Sequence, residues 1–155
     1  MSSDPTAPWR RLLEVVDAAA EEYREEGRTV VTVEPADVTV VPADAGPFGL
    51  VAVVPDDEHA ALTDLVAGRE FPTTDVFRRI AGDLVLLGVA VESADGEAAA
   101  LVPLYYERTR EEEGELRKHD GVLYTRVRGL SGRDTVTFEH DDPAAFLPDE
   151  RFDAD

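Results

Sequence analysis

Residues 83–106, DLVLLGVAVESADGEAAALVPLYY, contain the strongest structural pattern in the chain. Two apolar runs flank Asp95-Gly96, a dipeptide that favours a short turn between antiparallel strands because glycine accepts a positive φ. The first run has no polar position on either side, which predicts a central strand covered on both faces. A three-residue turn at 94–96 would place Ser93 opposite Glu97.

This register has consequences for the faces of the hairpin. It places Leu87 on the same face as Leu101. The other face of the first strand carries the small residues Gly88 and Ala90, which would let a second element approach closely. Pro103 has no N–H, so the second strand must bulge there or lie at an edge of the sheet.

Two amphipathic helices are predicted before this hairpin. The first runs over 8–26, where apolar residues recur at helical spacing and Gly27 provides the stop. The second runs over about 57–67, with Asp56 or Asp57 as its N-terminal cap and Gly68 as its stop. Further strands are expected at 28–34, 38–41, 49–54 and 73–80.

The run ERTREEEGELRKHD at 107–120 is almost free of apolar residues. It predicts either a solvated helix interrupted at Gly114 or a mobile loop. Glu113 and Arg117 have the i, i+4 spacing of a helical ion pair, which on a surface contributes only a few tenths of a kcal/mol.

A last hairpin is predicted from 121–128 and 135–140. Placing Arg128 opposite Thr135 gives the hairpin one buried face and one solvent-exposed face, which is typical of an antiparallel pair that covers a core. Asp142-Pro143 then predicts the start of a short helix, because proline suits the first helical position.

Together these elements predict an α+β fold. We expect a single domain over 8–148, in which the first and second helices pack on a largely antiparallel sheet of about six or seven strands. A doubly wound sheet is the alternative. Residues 1–7 are expected to be disordered, and the tail at 149–155 to be frayed.

The charge balance is the most unusual feature of the composition. The chain has 34 Asp and Glu against 15 Lys and Arg, a net charge of −19, and Lys118 is its one lysine. Self-repulsion at this charge is screened in concentrated salt, where the Debye length is about 3 Å at 1 M. The alternative is an acidic partner-binding face, such as a mimic of nucleic acid. Because the acids are spread over the whole chain, we favour salt adaptation.

Other classes are excluded or disfavoured by composition. The absence of cysteine excludes disulfides and thiolate metal sites. No apolar run approaches the roughly 20 residues that cross a bilayer. The first residues, MSSDPTAPWRRLLE, lack the apolar segment of a signal peptide. We therefore expect a cytoplasmic protein without membrane contact, and the net charge makes nucleic acid an unfavourable partner.

Four segments carry a resemblance to known proteins: PWRRLLEVV, GLVAVVPDDEH, VPLYY and VTFEHDDPAAFL. With the depleted lysine and abundant acid, they resemble small haloarchaeal proteins of unknown function. The resemblance extends over most of the chain and implies a salt-adapted cytoplasmic protein. It supplies no activity.

Two His-Asp pairs form the first candidate site. The predicted last hairpin places Leu123 opposite His140, so that His119 and Asp120 lie at the same end of the hairpin as His140 and Asp141. Imidazole nitrogens and carboxylate oxygens could together hold Zn, Mn or Fe. The competing interpretation is a chance accumulation of acids and histidines at an acidic surface.

A second candidate site combines aromatic and arginine side chains. Tyr105, Tyr106, Arg108, Arg126 and Arg128 lie on or beside neighbouring predicted strands and could bind an anionic ligand or stack a base. The competing interpretation is that these arginines pair with the many acids of the chain.

The sequence contains no GxGxxG, GxxxxGK[ST], GxSxG or HExxH motif. We therefore expect a non-catalytic binding or regulatory protein that acts through protein contacts, with another protein or a second copy as partner and no cofactor. The alternative is a small metal-assisted hydrolase that uses the two His-Asp pairs and a divalent metal.

Overall fold

The architecture comes from a computed structural model that describes residues 6–42, 44, 48–118, 121–132 and 134–148. Within these residues, eight strands form two four-stranded sheets. Sheet 1 has the order β1-β6-β5-β4 and contains β1 (Thr29–Thr32), β4 (Thr73–Ala81), β5 (Leu84–Glu92) and β6 (Ala98–Glu107). Sheet 2 has the order β2-β3-β7-β8 and contains β2 (Asp37–Val41), β3 (Gly49–Val54), β7 (Leu123–Gly129) and β8 (Thr135–His140). The helices are α1 (Thr6–Glu25), α2 (Asp56–Val66) and α3 (Glu113–Arg117), and a 3-10 helix follows at Pro143–Phe146.

The α+β class is confirmed, but the prediction of one largely antiparallel sheet of six or seven strands is corrected. Both sheets are mixed, because β1 pairs parallel with β6 and β3 pairs parallel with β7. The chain leaves sheet 1 after β1 and enters sheet 2 with β2. Pro35 lies in that short connection, where its missing N–H suits a break between strands. The alternative of a doubly wound sheet does not describe this topology either.

The central hairpin forms as predicted but with a longer turn. Ser93 donates its N–H to the carbonyl of Ala98 at 2.9 Å, which leaves four residues in the turn rather than three. The Asp95 carboxylate holds this turn, because it accepts the Ser93 hydroxyl and the N–H of Glu97. The register therefore shifts by one residue and pairs Leu87 with Leu104. A shift of one residue reverses the face on which the partner side chains lie.

The core has two layers, one on each face of β5. Alternate side chains of β5, including Val85 and Leu87, face sheet 2 in a large buried cluster. Helix α1 covers the opposite face, where Leu12 and Val16 lie within 3.6 Å of the position that a Cβ on Gly88 would occupy. The predicted close approach over Gly88 is thus confirmed, and β5 is central as expected.

Pro103 lies at an edge, as predicted. Strand β1 pairs with β6 only from Ala98 to Leu101, so β6 has no strand partner beyond that point on this side among the described residues. Helix α1 begins at Thr6, two residues before the predicted start. Of the ranges 1–7 and 149–155, on which the predictions of disorder and fraying fall, residues 1–5 and 149–155 lie outside the described residues, and residues 6 and 7 belong to α1.

Helix α2 packs at the end of the two sheets, where Leu62 and Leu65 enter the core between them. Its predicted cap is wrong. Pro55 occupies the cap position, and Asp56 instead accepts the N–H of Ser131 at 3.1 Å. The carboxylate thus ties α2 to the turn after β7.

The last hairpin is confirmed in every paired position, including Leu123 opposite His140 and Arg128 opposite Thr135. Its inner face is buried and its outer face is partly or fully exposed. The 3-10 helix follows at Pro143, as the Asp142-Pro143 pattern predicts, although the Asp142 side chain makes no capping bond.

Candidate functional site: a groove beside β8

The two tyrosines of the second candidate site lie on opposite faces of β6. The ring of Tyr105 packs edge-on against Trp9 of α1, with 5.4 Å between centroids. Tyr106 is fully buried between the sheets, and its hydroxyl donates to the carbonyl of Phe146 at 2.7 Å. Burial raises the pKa of Tyr106. In this arrangement, Tyr105 joins α1 to sheet 1 and Tyr106 fills the core.

Arg108 belongs to a buried ionic cluster. Its Nε donates to Glu113 at 2.7 Å, and Nε of Arg117 donates to the other oxygen of the same carboxylate at 2.9 Å. The Glu113 side chain is 0% exposed. Arg117 also donates to the carbonyl of Pro148 at 2.7 Å. The expectation of a solvated helix or mobile loop at 107–120 is therefore corrected for α3, because Glu113 and Leu116 are both buried there.

Arg126 and Arg128 lie on the outer face of sheet 2, away from the other three residues of the candidate site. In register, Arg126 lies between Val51 and Thr137. Neither guanidinium pairs with a carboxylate in the part of the chain that the structure describes. The five residues are therefore distributed over four separate surroundings. The interpretation as ion-pair partners is confirmed for Arg108.

His140 is 2% exposed, and hydroxyl groups contact both of its ring nitrogens. Nδ1 lies 2.9 Å from Oγ1 of Thr74, and Nε2 lies 2.8 Å from Oγ1 of Thr125. Desolvation lowers the pKa of His140 to about 4, against a weaker opposing effect of the Asp141 charge. The imidazole is therefore neutral near pH 7, and a metal ion at either nitrogen would have to displace a threonine.

The other members of the predicted metal site are not brought to His140 by the described residues. Asp141 is exposed at the end of β8. His119 and Asp120 lie outside the described residues. Within the described ranges, no group of three or more His, Asp and Glu side chains is placed to hold a metal ion. The metal site stays a prediction.

A groove of about 790 Å³ runs beside β8. One wall is β8 itself, and the other is the end of α2 with the segment that leads into β4. The residues that line it are Thr63, Val66, Arg69, Glu70, Phe71, Pro72, Asp134, Thr135, Val136, Thr137, Phe138, Glu139 and Asp141. A smaller cavity of about 180 Å³ adjoins the groove and shares Pro72, Glu139 and Asp141 with it.

The floor of the groove is apolar. The rings of Phe71 and Phe138 meet edge to face, with centroids 5.6 Å apart. Val136 is 8% exposed beside them, and Val66 packs against the same core cluster. This contact closes the groove from below and joins its two walls.

The wall opposite β8 is fastened to sheet 1. The carbonyl of Glu70 accepts the N–H of Ala94 at 2.9 Å, which ties the segment to the turn of the central hairpin. Arg69 donates to the carbonyl of Leu65 at 2.9 Å. Its Nε lies 3.5 Å from the Asp95 carboxylate, an ion pair without a hydrogen bond. These contacts hold the wall in place before any ligand arrives.

Sequence reasoning missed this groove and the burial of Glu113. The alternation in β8 predicted its buried and solvent-exposed faces, but only the order of strands shows that β8 is an edge strand of its sheet. For Glu113, the sequence signal was an arginine on each side, Arg108 and Arg117, at spacings that let both side chains reach the carboxylate.

The fold and the groove define an α+β protein of two facing mixed sheets, in which β8 has no further strand partner among the described residues. The chain belongs to a family of unknown function, DUF7529, whose model matches residues 2–148. No curated protein and no solved structure matches the chain. Helices long and apolar enough to cross a membrane are absent from the described ranges.

Proposed function

We propose that this is a non-catalytic binding protein that acts through protein contacts and takes an extended polypeptide segment along β8. One observation carries the proposal: residues 134–139 line the groove consecutively, on the side of β8 that pairs with no strand in the described structure. An edge strand presents unpaired N–H and C=O groups to an added strand. Main-chain hydrogen bonds then supply affinity, and the neighbouring side chains supply specificity.

The dimensions of the groove suit such a segment. Strand β8 has six residues, which corresponds to about 20 Å of extended chain. The adjoining smaller cavity continues the track past Glu139 to Asp141 and Asp142. Because the opposite wall is held by the contacts of Arg69 and Glu70, little ordering of the protein would accompany binding.

The setting that we propose is a salt-adapted cytoplasm. The net charge of −19 with one lysine supports it, as does the resemblance to haloarchaeal proteins. In concentrated salt, long-range attraction is screened, so a contact based on main-chain hydrogen bonds and apolar burial is well suited to this setting.

The alternative, a metal-assisted hydrolase, has no comparable support. It requires His140 as a ligand, and both ring nitrogens of His140 already contact threonine hydroxyls. We therefore favour the binding protein.

A random peptide library displayed on phage tests the proposal. Enriched peptides are synthesised and added to the isotope-labelled protein, and amide resonances are followed by NMR. We expect the largest shifts at 134–141 and 69–72, with residues 10–22 of α1, on the outer face of sheet 1, as internal controls.

Strand addition has a sharper signature. An added strand pairs with β8 through the backbone of every second residue. Two versions of an enriched peptide, N-methylated at odd or at even positions, should therefore differ, and only one should lose binding. Equal loss or equal retention would contradict strand addition, and shifts confined to another surface would overturn the site.

A further inference from the structure

The rim of the groove is strongly acidic. Glu70, Asp134, Glu139 and Asp141 are exposed along it, and none pairs with a cation among the residues that the structure describes. Arg69, the one basic side chain among the described residues of the lining, is engaged by the ion pair and carbonyl contact already described. A strand added beside β8 therefore meets four carboxylates that have no cation partner among the described residues, while Arg126 and Arg128 lie one strand further away, on β7.

The acidic rim and the apolar floor lie on opposite sides of an added strand. Along β8, Val136 and Phe138 point inward, and Thr135, Thr137 and Glu139 point outward. A strand paired with β8 alternates in the same way. Its inward side chains would meet the floor around Phe138, and its outward side chains would lie beside Glu139 and the other rim carboxylates.

We infer that the groove takes an extended segment in which basic residues alternate with apolar ones, an inference that rests on the proposed function. Apolar side chains on the inward positions bury against the floor, which is favourable because it removes apolar surface from water. Basic side chains on the outward positions gain cross-strand attraction to the rim, whereas acidic ones would be repelled.

Two other occupants fit less well. The chain's own last residues, 149–155, have the sequence DERFDAD, with four acids and one arginine, so the rim would repel them. A second copy added edge to edge along β8 would bring Asp134 and Glu139 of one chain near those of the other. It would also join two chains of net charge −19.

Three fluorescein-labelled octapeptides test the inference by fluorescence anisotropy at several KCl concentrations: alternating Arg-Val, alternating Thr-Val and alternating Glu-Val. A fourth octapeptide, with four arginines followed by four valines, has the same charge as alternating Arg-Val but lacks the alternation. At the lowest KCl concentration that keeps the protein folded, we expect alternating Arg-Val to bind at least about tenfold more tightly than Thr-Val or the block peptide, and Glu-Val to bind most weakly, with smaller differences as salt screens the charges.

Two matched charge-reversal variants test whether the acidic rim causes the preference for the Arg-Val peptide. Glu139→Lys should weaken alternating Arg-Val about tenfold or more and should strengthen Glu-Val. Glu22→Lys makes the same charge change on α1, which lies on the outer face of sheet 1, and should alter neither affinity appreciably. Circular dichroism establishes that both variants are folded. A loss of Arg-Val binding of equal size in Glu22→Lys would show attraction to the net charge alone and would overturn the inference.

The remaining outcomes separate the inference from the proposed function. If Thr-Val, the block peptide or Glu-Val binds as tightly as Arg-Val and shifts the amides of 134–141, the basic pattern is wrong and strand addition stands. If the library yields no peptide at this groove and none of the four peptides binds there, both fail. Shifts of the amides of 134–141 caused by a synthetic 149–155 peptide would assign the groove to the chain's own last residues instead of a partner segment. Concentration-dependent dimerisation in analytical ultracentrifugation that Glu139→Lys alters would assign it to a second copy.

Discussion

The Nδ1 atom of His140 lies 2.9 Å from the Oγ1 atom of Thr74, and this contact joins the edge strand of sheet 2 to the edge strand of sheet 1. A neutral imidazole has one donor and one acceptor nitrogen, and hydroxyl groups can serve both. With Thr125 on Nε2, His140 therefore has a partner for each nitrogen. The ring of Phe146 packs beside the imidazole, with 4.9 Å between the ring centroids.

Lowering the pH from 6.5 to 4 should decrease the stability of the native state because of His140. Its pKa is lowered to about 4 by desolvation, whereas the unfolded chain has the ordinary value of about 6.5. As the pH falls from 6.5 to 4, the unfolded chain binds a proton that the native state does not bind. Stability is thus complete above pH 6.5 and decreases through this window, by about 3 kcal/mol in total.

Urea melts at constant high KCl measure this effect. Because the carboxylates also titrate below pH 5, the comparison is with His140→Gln, which has no proton to gain. The wild-type protein should lose more stability than the variant between pH 6.5 and 4. Parallel pH profiles for the two proteins would show that His140 is not the responsible group.

Glu113→Gln should destabilise the protein by about 3–5 kcal/mol, the usual consequence of removing one charge from a buried ionic cluster. The change removes the carboxylate that both Arg108 and Arg117 contact. Glu115→Gln is a matched control on the same helix, since Glu115 pairs with the exposed Lys118 at 2.7 Å. Chemical denaturation should show a much smaller loss for the control, and equal losses would argue against a structural role for the buried cluster.

Leu87→Ala should cost about 2–5 kcal/mol, because it opens a cavity between the two sheets. Leu87 is 0% exposed on β5. Ile80→Ala on the neighbouring strand β4 is the control, because Ile80 is 45% exposed, and its effect should stay within about 0.5 kcal/mol. If the two variants unfold at the same urea concentration, β5 is not the centre of the fold.

The melting temperature should rise with KCl concentration. Self-repulsion from a net charge of −19 opposes the compact state, and salt screens it. Circular dichroism melts over a range of KCl concentrations, with an equimolar series in sucrose as a control for general exclusion from the surface, measure the effect. A midpoint that does not change with KCl would contradict salt adaptation.

Metal content should be well below one equivalent per chain in protein purified without chelators. A ligand role for His140 would require the loss of a threonine contact at one ring nitrogen. Elemental analysis of the wild-type protein and of His119→Ala measures it. One equivalent of Zn, Mn or Fe in the wild-type protein that disappears in His119→Ala would support the hydrolase alternative instead.

Elements whose pattern is local could be predicted from the sequence. The stripe of α1, the central position of β5 and the register of β7 with β8 were confirmed, because each follows from spacing along one segment or across one turn. The acidic character of the surface also follows from composition alone. For the candidate site, the sequence indicated the inward and outward faces of β8 and therefore which of its side chains a neighbour would meet.

Contacts between distant segments were decided only by the tertiary structure. The pairing of β1 with β6 and of β3 with β7 divides the strands into two sheets, and no local pattern specifies partners so far apart in the chain. The extra residue in the central turn depends on how Asp95 bonds to its neighbours, and it reverses the facing side chains of β6. Glu113 is buried because Arg108 and Arg117 approach it from both sides. The groove exists because β8 is last in its sheet and faces a segment that leads into the other sheet, a relationship that depends on the long-range packing of the whole chain.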